Sequence, residues 1–580
     1  MPRTVSIGCQ DFETIRTERY FYVDKTHFIK EWWEGGDSVT LITRPRRFGK
    51  TLTLSMVEKF FSMEYAGKTA LFEGLSLWKE EKYRKLQGTC PVISLSFAQV
   101  KETTCFNAKR KICQIITNLY NKFDFLLDSG KLNEKEKEFY QQVSVNMEDY
   151  IASESLNALS NYIMRYYGKK VIILLDEYDT PMQEAYVNGY WKELVAFIRS
   201  MFNAAFKTNP YLDRAIVTGI TCVSRESIFS DLNNLEVVAT TSEKYADSFG
   251  FTEKEVFAAL EEYHLSGQKE KVKQWYDGFS FGKWTDIYNP WSILNFLDTK
   301  KAAPYWANSS SNSLAGKLVR QGNRDIKQKF EGLIQGETIY TEIDEQIVYN
   351  QLDADEDAIW SLLLASGYLK VNHVDTYASD YEEWAQIYEL ELTNFEVKVM
   401  FRDMIRRWFS SASSEYNDFI KALLSDDLKA MNTYMNRVAL QTFSFFDTGK
   451  KPSGAEPERF YHGFVLGLMV ELSDRYTLTS NRESGFGRYD IMLEPKKSGS
   501  SRNGMGRFRI PAENAIIIEF KVQDTEDEPD LSATVEAALE QIEKQKYEAT
   551  LLAKDFPREK IKKYGFAFCG KQVLIGTKNL

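Results

Sequence analysis

The chain has 580 residues, 43% hydrophobic and 27% charged, with a net charge of 73 − 83 = −10. This is enough for about three or four packed domains, and it excludes a disordered chain or a histone-type nucleic-acid binder. No run of about 18 apolar residues offers a membrane span, and the opening MPRTVSIGCQDF lacks an apolar signal region. Six scattered Cys without a CxxC pair, and only four His, speak against a zinc site or a disulfide scaffold. The expected location is a reducing cytoplasm, with no membrane partner.

In chain order, residues 39–44 (VTLITR) read as a buried strand, followed by a basic, glycine-containing turn and an apolar helix over about 51–61. Further apolar runs at 91–97, 171–175 and 214–218 alternate with helical patterns at 106–126 and 156–167. Such alternation predicts a mostly parallel sheet with helices on both faces, over residues 1–250. From Phe251 the character changes. Thr252 followed by Glu255 reads as a capping box opening a helix. Residues 251–375 are expected to form a helical or winged-helix-like lid, and 376–440 a helical connector. A soft boundary at 447–457, rich in Gly, Pro and charge, precedes a last α/β block; that domain is taken as 441–580.

Arg44–Thr51 (RPRRFGKT) stands directly after the first strand and before a helix, the context a phosphate-cradling loop requires. Arg46, Arg47, Phe48, Gly49, Lys50 and Thr51 are the candidate nucleotide-binding residues. Backbone N–H groups and the helix N-terminus would hold phosphates, Lys50 would reach the β/γ-phosphates, and Thr51 would offer its hydroxyl to Mg²⁺. The pattern GxxxxGKS/T has Arg44 in place of its first glycine, so the turn must be made without it. Taken alone, Gly-Lys-Thr is equally compatible with a basic surface turn. A second strand, VIILLDEYD (171–179), ends in carboxylates. Asp176 would hold Mg²⁺, directly or through water, and Glu177 would orient the attacking water as general base. Asp179-Thr180-Pro181 reads as a helix cap with Pro in the first turn. A polar residue at Thr218, ending the third strand, suits a γ-phosphate sensor. Arg225 suits a finger or sensor, or simply an ion pair.

These residues resemble a known family. PRRFGKTLTLSM, LLDEYDTPM, SRESIFSDLNNL (224–235), WYDGF (275–279), YNPWSILNF (288–296) and YFYVDKTHFI (20–29) resemble the AAA-ATPase-like family of bacterial proteins, over roughly 5–300. The resemblance implies a P-loop NTPase fold, ATP as ligand, and Lys50, Thr51, Asp176 and Glu177 as nucleotide and Mg²⁺ residues. It also implies that Arg in place of the first glycine is usual.

A second centre is expected near the C-terminus. Asp490 lies in GFGRYDIMLEP (485–495), and AIIIEFKV (515–522) is an apolar strand with Glu519 and Lys521 on one face. Paired carboxylates on adjacent strands bind a divalent metal, and a lysine beside them stabilises the attacking water or the developing phosphorane charge. The alternative is a buried salt bridge. Between Glu494 and Glu513 the chain carries Lys496, Lys497, Arg502, Arg507 and Arg509 and no acid, which suits phosphate-backbone contact or a solvated hairpin tip. Glu471, His462, Gln541 and Tyr547 are further residues that either reach the site or serve structure alone. FYHGF, SNRESGFGRYDIML, AIIIEFK and ALEQIEKQKY resemble the PD-(D/E)XK nuclease superfamily over about 440–580. That resemblance implies a restriction-endonuclease-like α/β domain with Asp490, Glu519 and Lys521 as its catalytic set and Asp490 and Glu519 as metal ligands. Tyr489 stands where the usual Pro precedes the first Asp.

The expectation is therefore a multidomain α/β protein: an ATPase using ATP and Mg²⁺, coupled to a Mg²⁺- or Mn²⁺-dependent nuclease. Its partner is nucleic acid, DNA favoured over RNA, and an arginine finger from a neighbour would call for a homo-oligomer. The alternative is a nucleotide-gated switch whose C-terminal domain binds nucleic acid or a protein without cleaving.

Overall fold

The computed structural model describes residues 2–222, 229, 232–307, 324–345, 358–378, 384–408, 413–442, 465, 469, 472, 475–480, 483–484, 487–496, 514–524 and 528–578. The chain forms two compact units: residues 1–319 with 335–399, and residues 320–334 with 400–580.

The first unit is built on strands β1 (Val39–Thr43), β2 (Val92–Ser96), β3 (Val171–Asp176), β4 (Leu212–Gly219) and β5 (Leu235–Val238). They form an all-parallel sheet in the order β2-β3-β4-β1-β5. Parallel strands need crossover helices, which cover both faces, and so β1 and β3 are mainly apolar and are buried along their whole length. Ile173, Leu175, Leu41 and Val217 face a core made with helices Cys105–Lys122, Asp149–Tyr167 and Trp191–Phe202. Their neighbours Ile172, Leu174, Ile42 and Ile216 face the opposite core, with helices His27–Gly35 and Lys50–Phe61. Each such side chain contributes roughly 1.5–3 kcal/mol by leaving water.

Beyond Gly250, helix Glu253–Glu262 opens with the expected capping box: the Glu255 N–H donates to Thr252 Oγ1, and the Thr252 N–H donates to Glu255 Oε2 at 2.8 Å. Strands β6 (Phe251–Thr252), β7 (Phe279–Phe281) and β8 (Trp284–Tyr288) form a small antiparallel sheet. After helix Arg324–Gln335 come β9 (Ile339–Thr341), helix Ala358–Ala365, and the hairpin β10 (Leu369–Ala378) and β11 (Trp384–Leu392), in the order β10-β11-β9. The hairpin runs past 375, so the segment expected to be helical over 376–440 begins with strands. Buried Tyr388 and Leu390 alternate there with acidic Glu389 and Glu391, the period of a half-buried strand rather than of a helix.

Helices Phe395–Trp408, Ser413–Leu424 and Leu428–Thr442 follow. The last two pack in the second unit against its sheet through Phe419, Leu423, Met431 and Met435. That sheet comprises β12 (Tyr476–Ser480), β15 (Ile491–Pro495), β16 (Ala515–Val522), β17 (Ile561–Cys569) and β18 (Gln572–Gly576), in that order; β13 (Glu483–Ser484) and β14 (Gly487–Arg488) pair separately. Only β16 and β17 of the sheet's described neighbours run parallel, and helix Leu531–Lys544 makes their crossover. Edge strand β18 is capped by side chains. Asn432 and Asn436, one helical turn apart, each exchange two hydrogen bonds with the backbone of Ile575 and Val573 at 2.6–2.9 Å.

Candidate nucleotide and phosphodiester sites

The phosphate-loop candidate joins β1 to helix Lys50–Phe61. Two residues there take left-handed backbone: Arg47 at φ +66° and Gly49 at φ +86°. Gly49 stands at the N-cap and supplies this conformation without steric cost. The structure also explains Arg44. Its backbone N–H donates to Gly219 O at 3.1 Å, continuing the β1–β4 ladder. Its fully buried side chain turns toward the end of β5, where Nη1 donates to Ala239 O at 2.7 Å and the guanidinium lies 4.5 Å from the Phe281 ring. Burial pushes this guanidinium down to about 10. The position thus holds an anchor rather than a flexible turn.

Lys50 is 6% exposed, and its Nζ donates to Arg44 O at 2.8 Å and Pro45 O at 2.9 Å. Burial lowers its pKa, opposed by the charges of Glu177, Asp176 and Asp179. Because β4 lies between β1 and β3, Thr218 sits beside Asp176 and donates to Oδ1 at 2.6 Å. Thr51 donates to Asp176 Oδ2 at 2.7 Å. Burial raises the Asp176 carboxyl above the usual range, against those two hydrogen bonds. Glu177 is held at φ +49°, an uncommon backbone for a residue without glycine's freedom, and accepts from Thr180 Oγ1 at 3.2 Å. Arg46 donates to Gln183 Oε1 at 3.2 Å, Arg47 stacks 4.2 Å from the Trp291 ring, and Phe48 is buried edge-on against Phe279 and Phe281. The structure thus brings Thr51 and Thr218 onto Asp176, whereas Arg46, Arg47 and Phe48 engage Gln183, Trp291 and Phe279; Arg225 lies outside the described residues.

Asp179 differs from its expected role. It stands at the N-cap of helix Thr180–Asn188, yet its carboxylate makes no cap hydrogen bond. Instead it accepts from Ile220 N at 2.8 Å, Thr221 N at 2.9 Å and Thr221 Oγ1 at 3.1 Å, bracing the turn that follows β4. The sequence gives no sign of a partner 42 residues away.

In the second unit the antiparallel register pairs Ile491 with Ile518, so Asp490 stands opposite Glu519 one step on. The Phe520 N–H donates to Asp490 Oδ2 at 2.8 Å and fixes that carboxylate at the strand's start. Glu519 is 3% exposed and shares its strand face with Lys521. Ala515 and Ile517 on this face pack against helix Leu531–Lys544, from which Gln541 donates to Glu519 Oε1. Gln541 also donates to Tyr547 Oη at 3.2 Å. Burial pushes the Tyr547 hydroxyl up, opposed by its hydrogen bond with Gln541, and the charges of Glu519 and Asp490 add to the rise. Gln541 and Tyr547 are therefore at the site rather than on a solvated face. Tyr489 is buried, with its hydroxyl 2.8 Å from Thr479 Oγ1 and its ring against Tyr547, so it anchors the strand entry carrying Asp490. Glu471, His462, Lys497, Arg502, Arg507 and Arg509 lie outside the described residues.

Both centres fit a divalent cation. The Thr51–Asp176 pair offers a hydroxyl and a carboxylate as hard oxygen donors in direct contact, and Asp490 and Glu519 bring two carboxylates to adjacent strand positions. No helix among the described residues is long and apolar enough to cross a membrane, and all six cysteines are free.

Comparison with known proteins agrees with this architecture. Residues 6–229 match the family model described as "Predicted AAA-ATPase", and residues 456–578 match that of the PD-(D/E)XK nuclease superfamily. An "Uncharacterized protein in vnfD 5'region" of Azotobacter chroococcum mcd 1 is 23% identical over 491 residues, covering 81% of this chain and 85% of that protein. The chain thus joins a stretch similar to the AAA-ATPase-like family, residues 6–229, to a stretch similar to the PD-(D/E)XK nuclease superfamily, residues 456–578.

Proposed function

We propose that the protein is a cytoplasmic ATP hydrolase coupled to a metal-dependent nuclease, acting on nucleic acid and on DNA in preference to RNA. The observation that supports the reading is the Thr51–Asp176 hydrogen bond beside the buried Lys50, found in one chain with Asp490 opposite Glu519. Six free thiols suit a reducing compartment.

At the first site the loop N–H groups and the positive end of helix Lys50–Phe61 hold the phosphates. Lys50 exchanges the carbonyls of Arg44 and Pro45 for β/γ-phosphate oxygens. Thr51 and Asp176 would hold Mg²⁺, and Glu177 orients the attacking water and takes its proton. At the second site Asp490 and Glu519 would hold Mg²⁺ or Mn²⁺, while Gln541 keeps the Glu519 carboxylate in place. The Lys521 ammonium stabilises charge developing on the phosphodiester. The bound cations supply charge neutralisation and water activation at both centres.

The test is phosphate release from ATP by the full chain, with Lys50→Ala and Glu177→Gln. Hydrolysis lost in both variants, with nucleotide still bound by Glu177→Gln, supports the ATPase assignment. Hydrolysis retained in either variant refutes the assigned roles.

A further inference from the structure

The motifs around Trp275–Phe279 and Tyr288–Phe296 lie outside the phosphate loop and the acid strand, yet their residues hold that loop. Phe48 is clasped edge-on by Phe279 and Phe281, and its carbonyl accepts from Gly250 N at 3.4 Å. The Arg47 guanidinium lies on Trp291. Most tellingly, the carbonyl of Arg46 accepts from two side chains of this module, Trp306 Nε1 at 2.9 Å and Asn289 Nδ2 at 3.3 Å.

Both donors are themselves fixed. Asn289 caps helix Pro290–Thr299, accepting from Trp291 N at 2.9 Å through Oδ1, which aims its amide nitrogen outward from the cap. Trp306 is 3% exposed, and its backbone N–H donates to the buried Glu396 carboxylate at 2.6 Å. Glu396 also accepts from Ser292 Oγ at 2.8 Å, tying together the two stretches that supply the donors. Close approaches leave little play. A Cβ on Gly367 would lie 2.7 Å from Pro45, and one on Gly278 would lie 2.0 Å from Thr393 O.

Resting on the ATP reading above, we propose that the Trp306 indole and the Asn289 amide, held by Glu396, are positioning groups that fix the phosphate loop for nucleotide. They replace from outside the order that the first glycine's tight turn provides in the GxxxxGKS/T pattern. The inward carbonyls of Arg44 and Pro45 are held by Lys50, which nucleotide draws away. The outward carbonyl of Arg46 is held by the module, so the loop keeps its shape when Lys50 leaves.

The test is titration of the full chain with mant-ATP and Mg²⁺, comparing wild type, Lys50→Ala, Trp306→Phe and Asn289→Ser. Trp306→Phe keeps a ring and removes the donor. Asn289→Ser keeps a capping hydroxyl, removes the amide and adds no charge. Each is expected to raise Kd about fivefold, the factor that ~1 kcal/mol for one hydrogen bond represents, at temperatures well below an essentially unchanged melting point. Unchanged Kd in both variants, while wild type binds and Lys50→Ala does not, overturns this proposal alone. A Kd change that appears only as the variants begin to melt also overturns it, since a structural role would account for that. A wild type that fails to bind mant-ATP overturns the ATP reading together with it.

Discussion

Replacing Glu396 with Gln separates protonation from geometry at a buried carboxyl. Oε1 accepts from Trp306 N and Ala307 N, and Oε2 accepts from Ser292 Oγ. Burial pushes its pKa up from 4.5 to about 7, against these hydrogen bonds. The folded protein therefore keeps a proton that the unfolded chain releases, and the native state binds more protons between pH 4.5 and about 7. Its contribution to stability is full below that window and is lost as pH rises through it. At ~1.4 kcal/mol per pH unit, the rise corresponds to a loss of about 3 kcal/mol by pH 8. A Gln side chain keeps the acceptor for Trp306 and Ala307, and its amide donates to Ser292 Oγ, whose hydroxyl can reverse. Glu396→Gln should match wild type near pH 5 and exceed it at pH 8 by up to about 3 kcal/mol. Urea unfolding of the full chain, followed by tryptophan fluorescence at each pH, measures this difference with the other titrating groups common to both proteins. Parallel pH profiles, or a variant weaker than wild type at pH 8, would refute the reasoning.

Asn436→Ala removes two hydrogen bonds to the edge strand and should cost about 2 kcal/mol in the same unfolding assay; a change below about 0.5 kcal/mol would contradict the edge-capping role. Arg44→Gly restores the glycine of the sequence pattern but removes the buried anchor, so stability should fall by about 2–4 kcal/mol and nucleotide affinity should fall with it. A variant that binds ATP more tightly would show that the glycine matters more than the anchor. Gln541→Ala should lower metal-dependent cleavage about 10- to 100-fold while leaving ATP hydrolysis and melting intact, as loss of a ligand-orienting partner does. Cleavage at the wild-type rate would leave Gln541 with packing alone.

The parallel sheet is legible because each strand carries a mainly apolar run and helical patterns stand between them, and the loop and acid strand are legible because their residues cluster in sequence. That Asp490 and Glu519 lie on neighbouring strands is legible from the two apolar runs and the loop that joins them, whereas the register that sets them opposite each other is seen only in the sheet. The hairpin of Leu369–Leu392 was missed because Trp384–Leu392 carries Glu389 and Glu391 between inward residues, and a local helical pattern was read across it. Asp179 was read locally as a cap, whereas its donors come from the turn after a different strand. The hold of Asn289 and Trp306 on Arg46 spans 243 and 260 residues, and nothing in local spacing signals such a contact.

The most direct test of the central claim is cleavage of labelled single- and double-stranded DNA and RNA by the full chain, in Mg²⁺ or Mn²⁺, with and without ATP, beside Asp490→Ala. The account predicts cutting that requires the metal, disappears in Asp490→Ala, is greater on DNA than on RNA, and changes when ATP is added. No cutting by the wild type under any of these conditions would contradict it and favour a nucleotide-gated switch that binds without cleaving.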